Sequence, residues 1–405
     1  MTIVPSGFES ISLKRLVSLN PSVTLPSSGS VDYLPMENVH QGYLDHQTQE
    51  ISSLPSSLNA FAEGDILLAK VTPCFENGNV TIASDLITGV GLCSTELFVL
   101  RLHSDKVLPE YLMLLLQDEQ FKKEAKAYMR GTGGLKRIPS DWLMSRKFLI
   151  PSLEYQREIV NELSRRDSLI QDLQKGYADT LGKLSSYRQS LITRAVTKGL
   201  DPNVEMKDSG YDITNDIPVH WSTIKLQYIC KITTGNQDTQ DAVIDGKYPF
   251  YVRSPKIERT NLVTHSGTGI LMAGDGVGAG KVFHYAEGQY GIHQRVYLLH
   301  EISNVIDPKF LFFYIKTIFS REVERGTAQS TVPSIRMPML TRFSVCLPPK
   351  QEQIEISNYC KSIEEKLEFI SETIKRSINA LQEYRSSLIS AAVTGQLAID
   401  EEAAA

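Results

Sequence analysis

The sequence predicts an α+β protein with two similar mixed α/β domains, each followed by a long helix, and with the two helices paired as a coiled coil. The first observation is an internal repeat: Tyr187–Thr197 recurs as Tyr384–Thr394, with eight of eleven positions identical at an offset of 197 residues. The second is an apolar heptad pattern before each copy, which is typical of coiled-coil helices. The third is that short β-rich runs and turn residues precede each helix.

The two predicted helices have matched lengths. At the offset of 197, Pro151 aligns with Pro348 and Gln156 with Gln353, without a gap. One inserted residue would rotate the rest of a helix by about 100°, so equal lengths preserve the register of the apolar rows. A single apolar row is more often part of an ordinary core helix, but two matched rows are most simply explained by pairing. The predicted helix-pair or partner interface consists of Leu163, Ile170, Leu173, Tyr177, Leu184, Tyr187, Leu191, Leu367, Ile370, Ile374, Leu381, Tyr384 and Leu388.

Weaker repeats lie in the segments before the helices. Pro109–Leu112 resembles Pro308–Leu311 at an offset of 199, and Ile66–Ala69 resembles Ile270–Ala273 at an offset of 204. Drifting offsets indicate a shared scaffold whose loops differ in length. The predicted organisation is a first domain at 1–147, a helix at 148–199, a connector at 200–220, a second domain at 221–344, a second helix at 345–398 and a tail at 399–405.

Composition limits the class of protein. The 405 residues are 41% hydrophobic and 22% charged, which excludes a disordered or fibrous chain. The absence of an apolar run of eighteen residues and of a secretory signal pattern predicts a cytoplasmic protein with no membrane partner. The five cysteines include no CxxC pair, which fits a reducing compartment and argues against a zinc site. Because 47 acidic residues outnumber 42 basic ones, bulk charge alone does not indicate nucleic-acid binding.

Motifs of catalysis are missing from the sequence. The glycine-rich segment Gly274–Lys281 does not fit a phosphate-binding P-loop. Asp275 stands where that motif needs glycine, and Val282, directly after the segment, stands where it needs Ser or Thr. We therefore interpret the segment as a loop. The sequence contains no HExxH zinc motif, no GxSxG nucleophile elbow and no Asn/Asp-Pro-Pro-Tyr/Phe motif of adenine methyltransferases. We therefore expect no catalytic residue and no metal ligand in this chain.

The order of these features resembles the DNA-specificity subunit of type I restriction–modification systems. The resemblance depends on the proline-led helix starts, Ile150–Ile159 and Leu347–Ile354, and on Tyr187–Asn203. It also includes Met206–Gly210 and then Ile217–Trp221, the family's entry into its second recognition domain. The first domain departs from this pattern because Phe8 stands where the second domain has Trp221.

The resemblance implies two target-recognition domains held apart by antiparallel helices with pseudo-two-fold symmetry. Each domain would read one half of an asymmetric bipartite site in double-stranded DNA. The helices would set the spacing and dock two methyltransferase (modification) subunits, and motor–nuclease (restriction) subunits would join the full complex. S-adenosylmethionine is expected on the methyltransferase partner, and no cofactor is expected in this non-catalytic chain. The matching scaffolds with unlike loops agree with two unlike half-sites.

Under this resemblance, the loops after the central strands become the candidate DNA-contacting segments. Arg and Lys can pair with guanine or phosphate, Asn and Gln can pair with adenine, and glycines permit a close backbone approach. Any single Lys or Arg among them could equally be a solvated surface charge, and His293 could be a structural histidine. The candidates are Lys70, Thr72, Asn77, Asn79, Arg130, Lys136, Arg137, Arg253, Ser254, Lys281, His293, Gln294 and Gln329.

Two other functions remain open from the residues alone. A coiled-coil adaptor that joins proteins without touching DNA would share the helices but would leave the basic, glycine-rich loops unexplained. A nuclease in its own right would need a cluster of carboxylates with a lysine, and the sequence offers no plausible one.

Overall fold

A computed structural model describes residues 7–132, 134–327 and 334–396. The chain forms two compact units. Unit 1 comprises residues 1–177 and 376–405, and unit 2 comprises residues 178–375. Each unit therefore contains one globular domain together with part of each long helix.

The globular part of unit 1 has ten strands and three helices in its described residues. The strands are β1 (Glu9–Ser12), β2 (Val17–Leu19), β3 (Ser30–Leu34), β4 (Thr48–Glu50), β5 (Asn59–Ala62), β6 (Ile66–Ala69), β7 (Val80–Ile82), β8 (Val90–Cys93), β9 (Leu97–Leu102) and β10 (Lys147–Ile150). The helices are α1 (Pro109–Gln117), α2 (Glu119–Tyr128) and α3 (Ser140–Ser145). The first long helix, α4 (Leu153–Lys198), follows β10 directly.

After the end of α4, unit 2 continues with a two-stranded hairpin and then repeats the same plan. The hairpin consists of β11 (Met206–Asp208) and β12 (Asp216–Pro218). The other strands are β13 (Ser222–Lys225), β14 (Lys231–Thr234), β15 (Tyr248–Tyr251), β16 (Glu258–Thr260), β17 (His265–Ser266), β18 (Gly269–Ala273), β19 (Phe283–Ala286), β20 (Gln289–Ile292), β21 (Val296–His300) and β22 (Ser344–Leu347). The helices are α5 (Pro308–Tyr314), a π-helical turn (Ile315–Phe319), α6 (Ser320–Thr327), α7 (Met337–Arg342) and the second long helix, α8 (Lys350–Val393).

The two domains have the same strand topology. Unit 1 contains sheets of order β2-β9-β6-β7 and β4-β3-β8-β5, and unit 2 contains the equivalent orders β14-β21-β18-β19 and β16-β15-β20-β17. In both units the central pair of the second sheet is parallel, β3 with β8 and β15 with β20. A short antiparallel pair precedes each long helix, β1 with β10 and β13 with β22. The predicted duplication of a mixed α/β domain is confirmed.

Each unit also contains a packed part of the helix pair. In unit 1, Ile159 and Leu163 near the start of α4 share a hydrophobic core with Leu388 and Ile389 near the end of α8. In unit 2, residues near the end of α4 share a core with residues near the start of α8, for example Val196 with Ile356 and Cys360. The helices therefore run antiparallel within each unit. With 46 and 44 residues, they are each about 65–70 Å long at 1.5 Å per residue.

The predicted interface residues fall into two rows with different exposure. One row is buried or half-buried and consists of Leu163, Ile170, Tyr177, Leu184, Leu191, Leu367, Ile374, Leu381 and Leu388. The other row is exposed and consists of Leu173, Tyr187, Ile370 and Tyr384. A two-helix pair buries only the narrow strip where the helices touch, so a neighbouring row remains on the surface.

A buried glutamine ties each long helix to its domain. The Gln156 side chain accepts a hydrogen bond from the Leu108 N–H (2.8 Å) and donates to the carbonyls of Lys106 (2.8 Å) and Pro151 (2.9 Å). Gln353, its equivalent at the offset of 197, bonds in the same way to residues 307, 305 and 348. Each amide thus satisfies one backbone N–H and two carbonyls just before helix α1 or α5 and at the start of α4 or α8.

Replacing either glutamine by methionine is expected to destabilise the protein. Gln156→Met and Gln353→Met keep the side-chain length but leave buried backbone groups without partners, at a cost of about 1–3 kcal/mol. Gln351→Met is the matched control, because Gln351 is exposed and its amide bonds only to Glu355 on the next turn. Chemical denaturation would measure the free energy of unfolding, and equal values for all three variants would contradict the proposed tie.

Candidate nucleic-acid interface

Three loops meet at one end of the unit 1 sheets. We call residues 70–79, 94–96 and 130–138, without 133, the unit 1 loop cluster. The Lys70 N–H donates to the Glu96 carbonyl (3.1 Å), and the Ile138 N–H donates to the Lys70 carbonyl (3.0 Å). The Thr72 N–H donates to the Lys136 carbonyl (3.0 Å). Backbone hydrogen bonds therefore bring together the two segments that the sequence nominates in the first domain.

The same arrangement occurs in unit 2. The unit 2 loop cluster consists of residues 253–254, 274–282, 293–295 and 334–335. The Gly274 N–H donates to the Arg295 carbonyl (2.8 Å), and the Ile335 N–H donates to the Gly274 carbonyl (2.7 Å). These bonds match those of Lys70, so residue 274 is equivalent to 70, 295 to 96 and 335 to 138. The duplication thus extends from the sheets into the loops.

The unit 1 loop cluster exposes several cationic side chains. Arg137 forms a bidentate pair with Glu96, with nitrogen–oxygen distances of 2.8 and 2.7 Å. The hydrogen bonds from Arg137 lower the pKa of the Glu96 carboxyl, so this pair remains charged at neutral pH. Arg130 and Lys136 are exposed and form no ion pair within the described residues. The Lys70 ammonium lies 5.3 Å from the centre of the Phe98 ring.

The polar candidates of unit 1 differ in their access to solvent. Thr72 is buried, and its hydroxyl donates to the Gly134 carbonyl (2.8 Å) and accepts from the Lys136 N–H (3.0 Å). This side chain fixes the third loop against the first. Asn77 is exposed and Asn79 is half-buried in the turn that returns to β7. Among these three residues, Asn77 has the side chain that is best placed to meet a partner.

A carboxylate in unit 2 holds two arginine side chains next to each other. Asp275 accepts hydrogen bonds from Arg253 (2.6 Å) and Arg295 (2.8 Å), and both guanidinium groups are partly exposed. Burial raises the pKa of Asp275, but the two arginine hydrogen bonds outweigh it and leave the pKa below its usual value. The group therefore carries two positive charges and one negative charge at neutral pH. Lys281, on the same loop, is also exposed.

His293 is turned inward. The residue is 3% exposed, Nδ1 accepts from the Arg295 N–H (3.0 Å), and Nε2 lies 3.4 Å from the Thr239 hydroxyl. Burial, followed by the nearby charge of Arg253, lowers its pKa, which favours the neutral ring. This placement fits the structural alternative for His293. The residue holds the second loop in place.

Two further candidates of unit 2 have side chains that are engaged by neighbouring groups. Gln294 is exposed, and its amide donates to Asp238 (3.2 Å). The Ser254 hydroxyl is engaged with the backbone of Lys256, donating to its carbonyl and accepting from its N–H at 3.1 Å. Gln329 lies outside the described residues. The segment Gly276–Gly278 forms a 3₁₀ turn, consistent with its interpretation as a loop.

Two acidic residues of the loop clusters were missed by sequence reasoning. Glu96 and Asp275 hold the guanidinium groups, yet neither was singled out as a functional residue. A signal did exist for Glu96, because the offset of 199 that aligns α1 with α5 also aligns Glu96 with Arg295. The partners of Asp275 could not be found in this way, since Arg253 and Arg295 reach it from separate loops.

The described ranges contain no group of His, Cys, Asp and Glu side chains that could hold a metal ion. Over the same ranges, no helix combines the length and the apolarity that crossing a bilayer requires.

Comparison with known proteins identifies relatives. Residues 218–380 match the family described as the type I restriction modification DNA specificity domain. The EcoAI specificity subunit of Escherichia coli is 30% identical over 235 residues, which cover 57% of this chain and 38% of that protein. The MjaVIII specificity subunit of Methanocaldococcus jannaschii is 24% identical over 298 residues, covering 68% of this chain and 67% of that protein. The chain thus matches well under half the length of the Escherichia coli relative.

Solved structures share the fold. A chain from a study of complex assembly and conformational transition of the type I R-M system superposes with a TM-score of 0.75 at 16% identity, covering 98% of this chain and all of the other. The HsdS subunit from Thermoanaerobacter tengcongensis gives a TM-score of 0.53 at 17% identity, with 97% and 98% covered. Together with the matched sequence family, this likeness accounts for the duplicated domains and paired helices. The chain is therefore similar to type I restriction–modification DNA-specificity subunits, over residues 218–380 in its sequence family and over nearly its whole length in its fold.

Proposed function

We propose that this chain is the DNA-recognition subunit of a type I restriction–modification enzyme and reads an asymmetric bipartite site in double-stranded DNA. The observation that carries the proposal is the pair of loop clusters, which share one backbone frame but present different charged side chains. Position 96 carries a glutamate in unit 1, and its equivalent in unit 2 is Arg295. Two loop clusters with the same backbone frame but different side chains fit two half-sites of different sequence.

The cations of the clusters supply the chemistry for DNA contact. Arg130, Lys136 and Lys281 are exposed and can neutralise phosphates, while planar guanidinium groups such as Arg253 can pair with the O6 and N7 of guanine. The overall charge of −5 does not oppose this role, because each loop cluster presents cations locally. Partner subunits would supply further phosphate contacts.

The helices fit two further parts of the proposal. Half-sites read in the same groove recur about every 34–36 Å along DNA, and helices of about 65–70 Å can act as a ruler for such a spacing. The helices also repeat an exposed residue at equivalent positions, since Tyr187 is 57% exposed and Tyr384 is 49% exposed. A surface that occurs twice suits two copies of one partner, here two methyltransferase subunits.

The bond-making chemistry belongs to the partners in this proposal. The methyltransferase subunits would bind S-adenosylmethionine and methylate adenine, and motor–nuclease subunits would complete a restriction enzyme. This chain would be a non-catalytic cytoplasmic subunit that decides where the methyl group is placed.

Deleting the gene for this chain should remove methylation from one gapped DNA motif. Single-molecule sequencing of host DNA, with and without the gene, would show modified adenines in two unlike half-sites separated by a fixed gap. Restoring the gene should restore the motif. An unchanged methylome in a strain that expresses the methyltransferase would refute the proposal.

Substitutions in one loop cluster should affect only one half-site. Lys136→Ala with Arg137→Ala, or Arg253→Ala with Arg295→Ala, should weaken binding by about 1–3 kcal/mol for each lost base contact. Each lost phosphate contact should reduce the slope of log affinity against log salt by about 0.9. Binding of purified methyltransferase complexes to DNA with one or the other half-site altered would measure both effects.

The control variants are Lys106→Ala in unit 1 and Lys231→Ala in unit 2. Lys106 pairs with Glu9, and Lys231 pairs with Glu301 beyond the opposite end of β21 from the loop cluster. Both changes remove a surface cation but should leave DNA affinity unchanged. A coiled-coil adaptor would instead predict that loop and control variants behave alike, with no effect on DNA binding.

A further inference from the structure

A cavity of about 290 Å³ lies in unit 1 between helix α1 and the packed parts of α4 and α8. Its walls combine apolar side chains, such as Met113, Leu163, Ile170 and Leu388, with polar and charged ones. Gln117 also lines the cavity, is 3% exposed, and finds no hydrogen-bond partner for either amide atom among the residues that the structure describes. Buried side-chain amides are nearly always paired, so this glutamine calls for a partner.

The duplicated fold shows which group fills the equivalent position in unit 2. At the offset of 199 that aligns α1 with α5, Gln117 corresponds to Lys316, and at the helix offset of 197, Asp167 corresponds to Glu364. The Lys316 ammonium lies 2.7 Å from Glu364, and the same group lies 5.4 Å from the centre of the Phe312 ring. In unit 2 the equivalent position therefore carries an exposed alkylammonium group that pairs with a carboxylate.

At the corresponding place, unit 1 has carboxylates but no lysine. Gln117 is shorter than lysine and uncharged, and Asp167 pairs with Arg385. Arg166, another lining residue, pairs with Glu162. The Glu110 carboxylate at the rim is exposed and has no ion-pair partner within the described residues. The cavity therefore combines apolar walls, one uncompensated negative charge and one unused amide.

We propose that this cavity binds a primary alkylammonium ion. The alkyl chain would lie against the apolar walls, and the ammonium would donate hydrogen bonds to the Gln117 amide oxygen and to the Glu110 or Asp167 carboxylate. A chain of four carbons, the length of the Lys316 side chain, fits the volume. The ligand takes in unit 1 the place that Lys316 takes in unit 2.

The probe is n-butylamine, added to the full-length protein, and n-butanol is the matched neutral probe. Isothermal titration should show saturable binding of one n-butylamine per chain. The melting temperature should rise by roughly 2–4 °C at saturation, because a ligand that binds only the folded state stabilises it. n-Butanol should cause neither effect. Absence of saturable binding, or equal binding of n-butanol, would overturn the proposal.

Variants locate the site. Gln117→Lys supplies the ammonium from the chain itself and should abolish n-butylamine binding without lowering the melting temperature. Glu110→Gln should weaken binding several-fold, whereas Glu154→Gln, the same change of charge at an exposed position outside the cavity, should not. If Gln117→Lys does not fold, Gln117→Met removes the amide acceptor at similar length and should also weaken binding. Unaltered affinity in the folded Gln117 variants would place the ligand elsewhere.

No DNA enters these measurements, so their outcome is independent of the DNA-recognition function proposed above.

Discussion

The attachment of each long helix to its own domain is the constraint on which the rest of the structure depends. Gln156 and Gln353 are buried, and each satisfies three backbone groups that belong to two different segments. Only one orientation of the helix start meets all three bonds, since hydrogen bonds are directional. The two helices therefore begin at equivalent places in the two copies. The start of each helix then fixes the direction in which its apolar rows face.

In the loop clusters, backbone groups and side chains have separate roles. Their frames are held by bonds between backbone groups, such as those that join residue 70 to 96 and residue 274 to 295. Side chains at these positions are consequently free to change without loss of the frame, as the contrast between Glu96 and Arg295 illustrates. The helix-pair cores cannot change as freely, because each buried side chain there packs against several others. The two loop clusters share a backbone frame but differ in their exposed side chains. This combination suits a protein whose two domains would read different sequences.

Much of the fold could be predicted from the sequence, and less of the candidate site. The repeat around Tyr187 and Tyr384 and the equal spacing from Gln156 and Gln353 indicated the duplication and the helices. The sequence could not show that β3 pairs with β8 in parallel, since that pairing joins residues nearly sixty positions apart. Nor could it show that Thr72 is buried, because a hydroxyl looks the same in sequence whether it meets solvent or a neighbouring loop.

The sequence by itself determined the two long helices, their nearly equal lengths and the repetition of one domain plan, because helical hydrogen bonds and apolar periodicity connect residues that are close in the chain. Only the tertiary structure decided which charges meet. Asp275 joins Arg253 and Arg295 from separate loops, His293 is buried while its neighbour Gln294 is exposed, and Gln117 is buried beside a cavity in unit 1 while Lys316, which aligns with it, is exposed and pairs with a carboxylate in unit 2. These side-chain contacts depend on sheet pairing and helix packing between distant segments. The local sequence pattern therefore does not predict them.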